Sequence, residues 1–215
     1  MSLKKGNINI NQTTKSVKKK LERIKESTID LSIEKIDDNK VKAVIIMDTI
    51  VEPYVRNRMS GGFGKKDDDG KSKTGGVHLY DPLNSYKNYV QKELGKLLKE
   101  QYPDYQLCKG EIEFNITIWT KPPQAFTKRQ LVWSIIKKLL RPLIKPDIDN
   151  VAKTAMDFCS KLFWEDDNQV VTLIVRKYYG ERNKTIIIST MDIEPVKILG
   201  RTNKEEEELW QTLSL

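Results

Sequence analysis

From residue 111 the chain reads Glu-Ile-Glu-Phe-Asn-Ile-Thr-Ile-Trp, with Ile112, Phe114, Ile116 and Ile118 at every second position. Side chains alternate across a strand, so this pattern predicts a half-buried strand over 111–119 with one apolar face. Residues 28–36 alternate less cleanly, and 41–51 are rich in Val and Ile. Both predict strands, joined at the turn Asp37-Asp38-Asn39. Two more strands are predicted at 170–175 and 185–190, with Gly180-Glu181-Arg182-Asn183 as the hairpin loop between them.

Elsewhere the apolar period becomes helical. Tyr86, Tyr89, Val90, Leu94, Leu97 and Leu98 predict a helix through about Lys99, with Asp81 as its N-cap, Pro82 in its first turn and Tyr102-Pro103 as its stop. Leu131, Val132, Ile135, Ile136, Leu139 and Leu140, set among Lys128, Arg129, Lys137, Lys138 and Arg141, predict a helix over 127–140 that Pro142 ends. Such a helix can face a partner or DNA; the plainer expectation is an amphipathic surface helix packed on the protein's own core. A third helix is expected over 149–163. The order ββ–α–β–α–α–ββ is that of an α+β domain.

Around this framework lie segments of a different kind. Residues 1–27 form a basic arm with eight lysines and arginines against two glutamates, and Val17, Leu21 and Ile24 give it a short helical pattern near 14–26. It is expected as a solvated or disordered arm, or a short helix able to meet DNA phosphates. Residues 56–77 carry six glycines and are expected to form a long mobile loop without a packed element. Arg56, Arg58, Lys65 and Lys66 make that loop a candidate DNA contact, with a bare insertion as the equal alternative. Asp67-Asp68-Asp69 within it is expected to be solvated. Residues 28–195 are the expected folded domain, and 196–215, with Glu205 to Glu208, an acidic tail.

Composition narrows the chemistry. The chain has 215 residues, 38 Lys and Arg against 30 Asp and Glu, and a net charge of +8, which favours nucleic acid or another anionic partner. Cys108, Cys159 and His78 are too few and too scattered for structural zinc. The thiols fit a reducing compartment. No apolar signal-peptide core and no membrane-length apolar run is present, so a soluble cytoplasmic protein is expected.

One cluster departs from the basic background: Lys145-Pro146-Asp147-Ile148-Asp149-Asn150, then Lys153 and Asp157, then Glu165-Asp166-Asp167. In an extended segment Asp147 and Asp149 point to the same side and can aim at one cation. Asp149 stands where a helix begins, with the partial positive charge of the helix N-terminus beside it. Asp149, Lys153 and Asp157 fall at i, i+4 and i+8 and form a polar stripe that would hold Lys153 near the carboxylates. Ala152, Ala155, Met156 and Cys159 supply the buried side. Taken singly, each residue has a plain role: N-cap, turn residue or surface ion pair. Together they fit a hard cation such as Mg²⁺, which takes oxygen ligands and keeps its waters, and a metal-activated water attacking a phosphodiester.

The string Lys-Pro-Asp-Ile-Asp-Asn-Val-Ala-Lys-Thr-Ala-Met-Asp at 145–157, followed by Leu-Phe-Trp-Glu-Asp-Asp-Asn-Gln-Val-Val at 162–171, resembles the RusA-type Holliday-junction resolvases. That family shows an Asp-x-Asp-Asn, a lysine one helical turn on, and an Asp-Asp-x-Gln-Val that opens a strand. The resemblance is loose over 41–190 and tight over 145–171. It implies an α+β fold with a mixed β-sheet and helices packed on it. It also implies a homodimer that nicks four-way DNA junctions symmetrically, with Mg²⁺ or Mn²⁺ as cofactor. By position, Asp147, Asp149 and Asp167 match the family's metal-binding catalytic aspartates, and Lys153 its catalytic lysine. Asp166 and Asp157 are possible supporting residues. The basic run before Asp-x-Asp is thin here, leaving Arg141 and Lys145, of which Lys145 is a candidate DNA contact. Two alternatives stand beside this reading: a non-catalytic junction-binding protein whose carboxylates are structural, and a partner-binding scaffold using the 127–140 helix and the Trp210 segment.

Overall fold

The computed structural model describes Glu22 and residues 24–55, 58–60 and 78–195. Along the chain run β1 (Ile29–Lys35), β2 (Lys40–Met47), β3 (Arg58–Ser60), β4 (His78–Tyr80), α1 (Asn84–Gln101) and β5 (Ile112–Thr120). Then follow α2 (Lys128–Leu131), a π-helical turn (Val132–Ile136), α3 (Ile148–Cys159), a 3-10 turn (Asp167–Gln169), β6 (Val170–Tyr179) and β7 (Lys184–Asp192). Five strands form one sheet in the order β1-β2-β7-β5-β6. The β1–β2, β2–β7 and β5–β7 pairs are antiparallel, while β5 and β6 run parallel, so the sheet is mixed and the α+β expectation holds. No described helix is long and apolar enough to cross a membrane.

The alternation read from the sequence sets the layers. Ile112, Phe114, Ile116 and Ile118 are all fully buried on one face of β5. They join Leu31, Ala43, Ile45, Met47, Ile187 and Met191 from the neighbouring strands. Tyr86, Val90, Leu94 and Leu98, one per turn of α1, lie against this face, as do Val151, Ala152, Ala155, Phe158 and Cys159 of α3. Trp164 closes the end of the core, edge-on to Phe114 with 5.4 Å between ring centroids.

Several elements differ from expectation. Asp81 is not the N-cap of α1: Leu83 holds that position, and the Asp81 carboxylate accepts from the Leu83 N–H at 2.8 Å in the preceding turn. Helix α3 stops at Cys159 rather than 163, and Lys161 follows with a φ of 65°. Part of the 56–77 segment is regular: β3 pairs antiparallel with β4, Arg58 opposite Tyr80. The basic arm reaches the core, since Ile24 is buried within it. Residues 1–21, 196–215 and most of 56–77, with Arg56, Lys65, Lys66, Asp67, Asp68, Asp69 and Trp210, lie outside the described residues.

The 127–140 helix is the largest correction. The capping box Thr127/Gln130 starts it, but α-helical geometry ends at Leu131 and the π-helical turn ends at Ile136. Lys138 then adopts a φ of 54°, and the Leu139 and Leu140 N–H groups both turn back to the Trp133 carbonyl. The apolar side does not rest on the core: Ile136 is 72% exposed, Leu139 68% and Leu143 94%. A short segment rich in β-branched residues that leaves much of its apolar side exposed has little to keep it helical.

The loop between α3 and β6 hangs on Gln169. Its Nε2 donates to the Cys108 and Gly110 carbonyls at 3.0 Å each, and its Oε1 accepts from the Glu165 and Asp166 N–H groups at 2.9 and 2.8 Å. That is the full hydrogen-bonding capacity of an amide side chain. Gln169→Leu keeps the size and removes all four bonds. We expect it to lower the unfolding free energy by about 2–6 kcal/mol in urea denaturation, given ~0.5–1.5 kcal/mol per bond. A change within about 0.5 kcal/mol, the range of ordinary surface substitutions, would refute the keystone role.

Candidate active site

Chain direction around β5 and β6 decides where the candidate residues stand. The polypeptide leaves the carboxyl end of β5, passes through the 121–147 arm, returns along α3 and enters β6 at its amino end. Asp147 and Asp149 therefore sit at the carboxyl end of the parallel pair. Open α/β sheets place their ligand crevices at that end.

Asp147 is the N-cap residue of α3, but its side chain makes no capping bond. Asp149 lies in the first helical turn, so the pair straddles the helix start rather than sharing an extended segment. Both still line one cavity of about 1000 Å³, with Arg141, Ile144, Lys145 and Lys177 among its walls. Among the described residues neither carboxylate has an ion-pair or hydrogen-bond partner. The Lys145–Pro146 peptide is cis.

Lys177 secures this turn. From the end of β6 its Nζ donates to the Ile144 carbonyl at 2.6 Å and to the Pro146 carbonyl at 3.0 Å, on either side of Lys145 and next to Asp147. Beside it, Arg141 stacks 3.7 Å from the Tyr178 ring centroid, and Lys138 lies 5.5 Å from the same ring. Arg141 first, then Arg176 and Lys138, draw the Tyr178 hydroxyl pKa below its ordinary value despite some desolvation. The wall of the cavity thus carries a positive field.

Lys153 is exposed one turn beyond Asp149, yet it pairs with neither acid of the expected stripe. Its Nζ lies 4.1 Å from the centroid of the Tyr54 ring. Asp157 belongs elsewhere, accepting from Lys87 Nζ at 2.9 Å, while the same ammonium sits 2.5 Å from Asp81. Burial alone would lower the Lys87 pKa, and the bonds and charges of Asp81 and Asp157 outweigh it, so the pKa is raised. Asp157 is therefore a tie between α1 and α3.

Asp167 stands at the other end of α3. Its Oδ1 accepts from Trp164 Nε1 at 3.2 Å. Its charge reaches the Cys159 thiol, whose pKa burial first, and Asp167 second, push well up. Twelve residues of α3 span about 18 Å. Asp166 caps the 3-10 turn by accepting from the Asn168 N–H at 2.9 Å. The structure thus brings Asp147, Asp149 and Lys145 together and keeps Asp167 apart. Among the described residues no three acids, cysteines or histidines gather as a cation cage.

Sequence reading passed over Lys177, Tyr54, Lys87 and Gln169. Lys177 lies beyond the strand expected at 170–175, on the stretch by which β6 runs on to Tyr179, and no local spacing links it to residue 146. Gln169 was quoted within the Asp-Asp-x-Gln-Val string, which could have marked it as a cap for the acidic turn.

The family model described as Endodeoxyribonuclease RusA matches residues 64–189, which take in β5, α3, β6 and most of β7. YqaN of Bacillus subtilis (strain 168), itself an uncharacterized protein, is 30% identical over 122 residues, covering 55% of this chain and 82% of that one. Parallel β5 and β6, the α3 that joins them and the aspartates at both helix ends all fall within the matched stretch, and the chain belongs to the RusA endodeoxyribonuclease family.

Proposed function

We propose that the protein is a Mg²⁺-dependent endodeoxyribonuclease that resolves four-way DNA junctions by paired symmetric nicks, acting as a homodimer. The observation that carries this reading is the cavity at the start of α3. There Asp147 and Asp149 stand beside Arg141, Lys145 and Lys177 with no ion-pair or hydrogen-bond partner among the described residues. Carboxylates alone repel a polyanion, whereas a basic rim with a cation between them reverses the sign.

The pair fits such a cation. Mg²⁺ takes one or two protein carboxylates and keeps several waters, and among the described residues neither Asp147 nor Asp149 spends an oxygen on the helix cap or an ion pair. Bound there, the ion would neutralise phosphate charge and lower the pKa of a coordinated water. Lys153 donates to a non-bridging oxygen of the scissile phosphate and offsets charge that builds as water attacks phosphorus and the sugar oxygen departs. Arg141 and Lys145 hold flanking phosphates. The amides at the start of α3 add their partial positive charge.

Asp167 joins from a second copy. β6 is an edge strand, and Val171 and Leu173 on it are exposed, as are Leu143, Ile144 and Ile148 near the cavity. A two-fold axis beside β6 runs the two edges antiparallel. The amino end of one, with Asp167, then meets the carboxyl end of the other, with Asp147 and Asp149. The distance between these acids within one chain favours the second reading, a junction-binding protein without catalysis, and cleavage assays separate the two.

With Mg²⁺, wild-type protein is expected to nick a synthetic four-way junction at paired positions. Asp149→Asn should slow the nicking on the order of 10²–10³-fold, as loss of a transition-state charge partner does. Binding in gel shifts should persist at low salt and weaken as salt rises. Wild-type cleavage by the variant would sink the mechanism, and wild-type binding without cleavage would leave the non-catalytic reading.

A mixing experiment tests the dimer. Asp149→Asn and Asp167→Asn homodimers are each expected to be inactive. Mixed, they form a heterodimer with one intact site, built from Asp149 of one copy and Asp167 of the other, so nicking of a single strand pair position returns. Sites contained within one chain would give no recovery.

A further inference from the structure

Lys153 has acidic neighbours one turn to either side, and ammonium groups so placed ordinarily pair with a carboxylate. Here Asp157 is taken by Lys87, which also binds Asp81. Among the described residues Lys153 has no ion pair, and its Nζ instead lies over the Tyr54 ring, 4.1 Å from the centroid. We propose that Tyr54 positions Lys153 for phosphodiester cleavage, an inference that rests on Lys153 acting in that reaction.

The backbone that carries the ring is tied to the scaffold. The Tyr54 N–H donates to the Asn150 carbonyl at 2.8 Å, in the first turn of α3. Three residues earlier the Val51 N–H donates to Thr185 Oγ1 at 3.1 Å, and that hydroxyl donates to the Thr49 carbonyl at 2.8 Å. Between them the Glu52 N–H reaches the Tyr86 hydroxyl at 3.4 Å. The segment is thus tied to β7, α1 and α3 in turn. Tyr54 lies before residues 64–189, so the matched family segment does not contain it.

The chemistry explains why a ring serves better than an acid. A carboxylate would hold Lys153 by taking its N–H donors and neutralising its charge. A π face attracts the ammonium through its quadrupole and takes no directional bond. The three donors and the positive charge stay free for a phosphate oxygen, while the long stem loses rotamer freedom before DNA arrives.

The test changes the ring's charge without its shape. Tyr54→Phe serves as the reference, and mono-, di- and trifluorophenylalanine at position 54 withdraw electron density from the face step by step. On a four-way junction kcat is expected to fall progressively, roughly threefold to thirtyfold across the series, as loss of a cation–π contact predicts. KM and the melting temperature should stay constant. A flat kcat across the series, while Lys153→Ala abolishes cleavage, overturns the role of Tyr54 alone. A series that moves KM and leaves kcat unchanged makes the ring a DNA contact and also overturns it. Lys153→Ala cutting at the wild-type rate removes the reading on which the inference rests.

Discussion

A helix that joins two parallel strands starts at the carboxyl end of the first and finishes at the amino end of the second. β5 and β6 are the parallel neighbours of this sheet, and α3 joins them. That single constraint distributes the acidic string of the sequence. Asp147 and Asp149 precede or begin the helix and stay at the carboxyl end. Asp166 and Asp167 follow it and are carried to the amino end. Val151, Ala152, Ala155, Phe158 and Cys159 then lock α3 against the sheet, so no sliding of the helix can bring the two groups together. The parallel strand also secures the turn it faces, because Lys177 at its far end holds the carbonyls on either side of Lys145.

The second constraint is the assignment of charges. Carboxylates on a basic protein tend to find cations or other donors, and several here do. Asp157 has Lys87, Asp48 has Arg182 at 3.4 Å, and Asp167 receives the Trp164 N–H. Three of the cations near Asp147 and Asp149 are engaged elsewhere: Lys177 with backbone carbonyls, Arg141 with the Tyr178 ring and the Lys177 carbonyl, Lys153 with Tyr54. In the proposed reaction, an acid pair whose basic neighbours are held in this way would have its oxygens free for an incoming ion. The lysines supply a field that attracts phosphate without saturating the acids.

Local pattern made much of the fold legible. β5 follows strict alternation, and the structure moves its predicted bounds by one residue at each end. α1 follows from helical spacing in the same way, whereas the hairpin expected across Gly180-Glu181-Arg182-Asn183 is not one: β5 lies between β6 and β7 in the sheet, so that loop crosses over a strand. The 127–140 segment was legible as amphipathic but not as a helix, because nothing in a periodicity says whether the apolar side will find a core. The acids were legible as residue types in the right order, yet their separation depends on β5 and β6 being parallel neighbours. Strand pairing is a non-local fact that spacing along the chain does not carry. For the same reason the stripe of Asp149, Lys153 and Asp157 suggests a pairing that Lys87, far away in sequence, prevents.

The two edges of the sheet point to opposite fates. β1, at one edge, shows solvent Asp30, Ser32, Glu34 and Lys35, and Tyr102 caps the Ile33 N–H through its hydroxyl at 2.8 Å. Exposed charge and a covered backbone donor are how an edge avoids unwanted strand addition. β6, at the other edge, shows exposed Val171 and Leu173, and the arm beside its carboxyl end adds Leu143 and Ile144. In the proposed homodimer, the second, apolar edge is the one that would meet the partner. That second edge is the one whose two ends carry the separated halves of the acidic set.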